Sequence, residues 1–140
     1  MDLKDAVVCD ILDVVTVFSK KGRLEEMSNR KSYGISFTLD GQITYMQNGV
    51  SYVEDRNHAV LLPKNQSYTI RGDVEGTFPV INFDTTEFLT DTITVLPIDS
   101  VDFIYKEFEQ MKNLSFSKGV NFSAPIWNCA FVPLARCMGM

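Results

Sequence analysis

A single histidine, His58, stands among 140 residues, and the three cysteines, Cys9, Cys129 and Cys137, form no C-x-x-C pair. An odd set of thiols with no histidine nearby suggests neither a zinc site nor a disulfide framework, and reduced cysteines in a cytoplasm are the simpler account. Basic residues are also scarce: 13 Lys and Arg against 18 Asp and Glu give a net charge of -5. That balance argues against a nucleic-acid surface, because phosphate binding depends on clustered Lys and Arg that release counterions. No stretch approaches the roughly 20 apolar residues of a membrane span. The opening Met1-Asp2-Leu3-Lys4-Asp5 never builds the uninterrupted apolar segment with basic flanks of a secretory signal.

Apolar material, by contrast, is plentiful. Hydrophobic residues make up 45% of the chain, ten of them Phe, which is enough to fill the core of one domain. Between residues 30 and 84 short alternating runs are broken by Asp40-Gly41, Asn48-Gly49, Lys64-Asn65 and similar turn signals. That pattern predicts strands near residues 33–39, 42–47, 50–53, 59–62, 68–71, 78–83 and 92–96, in a sandwich or barrel. Asp40-Gly41 and Asn48-Gly49 read as two-residue hairpin links, since these residue types tolerate positive φ. Upstream, Ala6, Val7, Ile11 and Leu12 have the spacing of a short amphipathic helix over residues 2–13, and residues 14–18 form a β-branched strand. Residues 20–28 read as a polar connection around Gly22, with Lys20, Lys21, Arg23, Glu25 and Glu26 as a solvated charge cluster.

From residue 99 the period becomes helical. Asp99 is a suitable N-cap, Asp102 places a carboxylate at the positive helix end, and Val101, Ile104, Tyr105, Phe108 and Met111 line one face. Such a stripe packs either on its own domain or on a partner subunit, and it supplies the candidate dimerisation residues. Pro125 and Pro133 then break any long helix around the apolar Ile126, Trp127, Phe131, Val132, Leu134 and Met138. This tail folds back, meets a second subunit, or belongs to a longer protein.

Catalytic constellations are thin. His58 follows Asp55 and Arg56 in what reads as a turn, which suits a surface or strand-edge role better than a general base. Ser36 and Ser67 have no second histidine to complete a nucleophile, base and orienter set. Polar groups among apolar ones on the strands are better candidates for binding. One face of residues 33–39 carries Tyr33, Ile35, Phe37 and Leu39, and the other carries Gly34, Ser36 and Thr38. If Ser36 and Thr38 point inward they leave room for a ligand; if the aromatic face does, the interior is filled.

The order of motifs over residues 30–84, followed by the amphipathic helix, resembles the N-terminal effector-binding domain of AraC-type transcription regulators, a cupin barrel. The resemblance covers roughly residues 14–114. In the second cupin motif, glycine, five residues, then Pro-x-Gly-x-x-His, Asn57 takes the first glycine place, Pro63 matches, Asn65 replaces the second glycine and Tyr68 replaces the histidine. In the first motif Gln42 falls at the acidic place, and either Ile35 and Phe37 or Ser36 and Thr38 fall at the histidine places. None of these is a competent transition-metal ligand, so the resemblance implies binding without a metal or other cofactor. It also points the Tyr68 side chain inward, with Tyr45 and Arg30 as further pocket candidates.

What the resemblance implies is a mostly β, cupin-like antiparallel barrel over residues 1–98 with a helical extension over residues 99–140 that serves dimerisation. Its function would be that of a cytoplasmic, non-enzymatic sensor in a bacterial regulator. A small molecule, with a sugar as one candidate, would bind in the barrel and favour one arrangement of a homodimer. DNA would be read by a separate helix-turn-helix domain absent from this chain. The alternatives are a metal-free cupin enzyme such as a carbohydrate isomerase, and a stand-alone dimerisation module with a filled barrel.

Overall fold

A computed structural model of the chain describes residues 8–118. Nine strands precede one helix: Val8–Ser19 (β1), Leu24–Met27 (β2), Tyr33–Ser36 (β3), Gln42–Gln47 (β4), Val50–Glu54 (β5), His58–Leu62 (β6), Tyr68–Val74 (β7), Gly76–Thr85 (β8), Thr94–Pro97 (β9) and Val101–Lys118 (α1). All strand pairs are antiparallel. They form a five-stranded sheet in the order β1-β8-β3-β6-β9 and a four-stranded sheet in the order β2-β7-β4-β5. The sheets face each other without closing, so the expected barrel is an open cupin-like sandwich.

The larger sheet is covered on both faces. Ile35, Phe37, Leu61, Ile81 and Phe83 pack under Val101, Ile104 and Phe108 of α1. Val60, Leu62 and Phe78 meet Ile43, Tyr45, Tyr68 and Ile70 of the smaller sheet. Each fully buried aromatic here contributes about 1.5–3 kcal/mol relative to exposure. The Phe37 and Phe108 rings meet edge to face at 5.6 Å. Ser100, rather than Asp99, caps the helix: its Oγ accepts from Phe103 N at 3.3 Å. Asp102 in the first turn lies 3.6 Å from Arg56, an exposed ion pair of small energetic weight.

Several expectations are corrected. Residues 8–13 belong to β1 and pair with β8 along its length, not to a helix. Two register shifts, between Val8 and Asp10 and between Ile11 and Asp13, break the period of two that would have revealed the strand. The polar connection over residues 20–28 contains β2, an exposed strand that among the described residues pairs only with β7. Charged Glu25 and Glu26 are what an edge strand tolerates. Asn48-Gly49 does close a hairpin, with φ of 51° and 78°. Asp40-Gly41 instead carries the chain from one sheet to the other. It is built around Thr38 Oγ1, which accepts from Gly41 N at 2.9 Å and donates to Thr77 O at 2.9 Å. The tail cluster from Ile126 to Met138, with Cys129 and Cys137, lies outside the described residues.

Candidate functional site

Between the sheets lies a cavity of about 140 Å³. Its walls are mostly apolar, from Val15, Val17, Met27, Ile43, Leu62, Ile70, Phe78 and Val80. The polar groups in the lining are Arg23, Arg30, Ser36, Tyr45, Tyr68 and Asn82. A mainly apolar concavity with a few convergent polar side chains is the usual form of a small-molecule site.

Arg30 is held there by backbone and by an empty place in the opposite strand. Its N–H donates to Gln66 O at 2.9 Å, and its carbonyl accepts from Asn65 N at 2.7 Å. Asn65 turns the chain at φ 65°, a conformation that asparagine tolerates. The guanidinium lies over Gly34, where an added Cβ would collide with Arg30 Nη2 and Cζ. Asn82, paired with Gly34 across β3 and β8, accepts from Arg30 Nη2 through Oδ1. Its Nδ2 donates to Asp13 Oδ1 at 2.6 Å, which fixes the amide in that sense. Arg30 Nε is buried without a hydrogen-bond partner among the described residues. Burial holds the nearby Tyr68 hydroxyl above the usual phenol range, against the opposing pull of Arg30.

One strand repeat along β3, Ser36 carries a second polar group. Ser36 Oγ donates to Glu54 Oε2 at 2.7 Å, and Tyr45 Oη donates to Glu54 Oε1 at 2.7 Å. Glu54 is fully buried at the end of β5, and desolvation raises its pKa to about 7, with the two hydroxyl donors pulling the other way. Desolvation, and then Glu54, push the Tyr45 phenol well up. The Tyr45 and Tyr68 rings meet edge to face at 5.7 Å.

Of the residues singled out for ligand binding, Tyr68, Ser36, Tyr45 and Arg30 share this one cavity, whereas Thr38 is taken up by the Asp40-Gly41 turn. The open question of which face of β3 points inward has a double answer. Ser36 lines the cavity and Gly34 lies under the Arg30 guanidinium at its wall, and Tyr33, Ile35 and Phe37 face α1. Val101, Ile104 and Phe108, named for dimerisation, are buried in the domain's own core, and Tyr105 packs partly against it. Met111 lies within α1, and its side chain lies outside the described residues. His58 begins β6 with Nδ1 2.8 Å from Asp55 Oδ1, away from the cavity.

Glu54 and Asn82 were not singled out. Asn82 is a lone amide in the apolar run Val80-Ile81-Asn82-Phe83, and that break was a legible signal. Glu54 shares a strand face with Tyr52 at a spacing of two, but Val50 and Val53 nearby are exposed, so β5 lacks a clean apolar face. At the places where cupins carry metal-binding histidines, Ser36 and Tyr68 line the cavity with one carboxylate behind them. That donor set does not fit a transition metal. Among the described residues no three His, Cys, Asp or Glu side chains converge on one point.

Comparison with known proteins agrees with this architecture at the level of fold. No protein-family profile and no curated protein matches the chain. Solved structures do. The AraC-like transcriptional activator CuxR superposes with a TM-score of 0.60 at 12% identity, over 92% of this chain and 53% of its own. ToxT from Vibrio cholerae superposes with a TM-score of 0.57 at 12% identity, over 91% of this chain and 56% of its own. A further structure of ToxT, also at a TM-score of 0.57, has (E)-4-(8-methylnaphthalen-1-yl)but-3-enoic acid bound. The chain thus has the cupin-like fold found in AraC-type regulators, as its motifs implied. It spans about half the length of these neighbours. No helix among the described residues is long and apolar enough to cross a membrane.

Proposed function

We propose that this domain is the sensor portion of an AraC-type transcription regulator, binding a small molecule between its two sheets without a metal. The observation that carries the reading is the cavity, which brings Arg30, Ser36, Tyr45 and Tyr68 from three separate strands and a loop onto one apolar space. A filled interior would have offered a stand-alone dimerisation module nothing to sense. The apolar walls favour an effector with an apolar body over a sugar, whose hydroxyls would each need a partner. Both Glu54 oxygens already accept hydrogen bonds, so the cavity offers no free acid and base pair of the kind an isomerase needs.

The switch is non-covalent: an effector that binds one domain arrangement better than another shifts their populations, and DNA binding by a separate helix-turn-helix domain follows. A homodimer formed through α1 would use its outward face, where Phe103 is exposed, because Val101, Ile104 and Phe108 are committed to the core.

Thermal unfolding against a metabolite library tests the reading. A ligand that binds only the folded state at a hundred times its Kd adds about 2.7 kcal/mol of stability. A specific shift that survives EDTA is expected. A shift with transition metals alone would overturn the metal-free sensor.

A further inference from the structure

Two guanidinium groups line the cavity, and they differ in one respect. Arg23 is 2.7 Å from the Glu25 carboxylate. Arg30 has no carboxylate within ion-pair distance among the described residues; Asn82 accepts from its Nη2, and its Nε is buried with no acceptor at all. A guanidinium at the wall of an apolar space with no carboxylate to neutralise it is a binding group without its ligand. The surrounding construction keeps it in place: the 65–66 turn holds the Arg30 backbone, Gly34 leaves the space that the guanidinium occupies, and Asp13 orients Asn82.

We propose that the effector is a small monocarboxylate, its head held by Arg30 beside Tyr68 and its apolar body, about the size of a six-membered ring, packed between the sheets. This rests on the sensor reading above and names its ligand class. Size follows from volume, since about 140 Å³ is close to the roughly 150 Å³ of an apolar protein cavity that admits benzene. Orientation follows from Glu54. Its carboxyl, held by Ser36 and Tyr45, lies one strand repeat from the Gly34 place and takes both hydroxyl protons there, so neither hydroxyl is free to donate to a second anion. A single charge at the Arg30 end is therefore preferred over a dicarboxylate.

Calorimetric titration of the full chain with benzoate and cyclohexanecarboxylate, against the neutral benzamide and cyclohexanemethanol, tests the assignment. The carboxylates are expected to bind at least about tenfold more tightly than their neutral counterparts. Arg30→Met should abolish that preference while Arg30→Lys keeps part of it, with a thermal melt checking that each variant is folded. Gly34→Ala keeps the charge but displaces the guanidinium, and it should also weaken carboxylate binding. Equal binding of neutral and anionic probes, or an Arg30→Met variant that keeps the preference, would overturn the anion assignment and leave the sensor reading standing. So would silence from all four probes alongside a thermal shift from another metabolite class. Silence from the probes and from the whole library would overturn both.

Discussion

Ser36 and Glu54, 18 residues apart in the chain, meet at 2.7 Å across the space between the two sheets. Ser36 belongs to β3 of the larger sheet and Glu54 to β5 of the smaller one, so this hydrogen bond joins the two layers. Both side chains are buried: Glu54 is 0% exposed and Ser36 1%. A carboxyl in such a place ionises reluctantly, and the consequences are measurable.

With a folded pKa of about 7 against 4.5 for the free side chain, Glu54 retains its proton in the native state where the unfolded chain has lost it. Stability should therefore fall as pH rises from about 4.5 to about 7, by an amount on the order of 3 kcal/mol. Urea unfolding at pH 5, 6, 7 and 8 measures the slope. Glu54→Gln, which keeps an acceptor for the hydroxyls, should flatten it and raise stability at pH 8. A wild-type stability that rises over that range would contradict the buried acid.

Phe108→Ala should destabilise the monomer by roughly 3–5 kcal/mol, because it empties the place under which Phe37 packs. Chemical denaturation reads this directly. Size-exclusion chromatography separates it from an effect on association: a folded variant of unchanged stability that merely lost a dimer would return Phe108 to an intersubunit surface.

Ser100→Ala should cost about 1 kcal/mol, since one N-terminal N–H of α1 loses its acceptor, while Asp99→Ala should cost less. The paired variants, compared in the same unfolding assay, establish which residue caps the helix.

Gly49→Ala places a Cβ at φ 78° in the β4–β5 turn, and a loss of about 1–2 kcal/mol is expected. Open space surrounds Gly49, so the penalty is conformational rather than steric. A variant as stable as the wild type would show that the turn re-forms in another type.

Tyr68→Ala, once an effector is in hand, should weaken its binding, because Tyr68 lines the cavity and faces the Arg30 guanidinium. Unchanged affinity in a folded variant would remove Tyr68 from the site.

Legibility in the sequence followed the range of the interactions. The β4–β5 pair and its Asn48-Gly49 hairpin rest on contacts between near neighbours, and alternation with turn chemistry reveals them. The first strand was hidden because it pairs with β8 some 65 residues later through two register shifts. β2 was hidden because an edge strand carrying Glu25 and Glu26 looks like a loop. Tyr68, Ser36 and Arg30 drew attention through motif position and strand face, yet no local pattern says that they share a space with Asn82 and Glu54.

Composition and periodicity were sufficient for a β domain ending in an amphipathic helix, because hydrogen-bonding period and turn conformation are properties of adjacent residues. Which face of β3 meets which neighbour lay beyond them. A two-letter pattern distinguishes buried from exposed, and β3 is buried on both sides, with α1 over Phe37 and the smaller sheet opposite Ser36. Only the packing of the two layers made one of those buried faces a cavity, placed Arg30 at its wall with no carboxylate partner among the described residues, and drew the Glu54 carboxyl out of water.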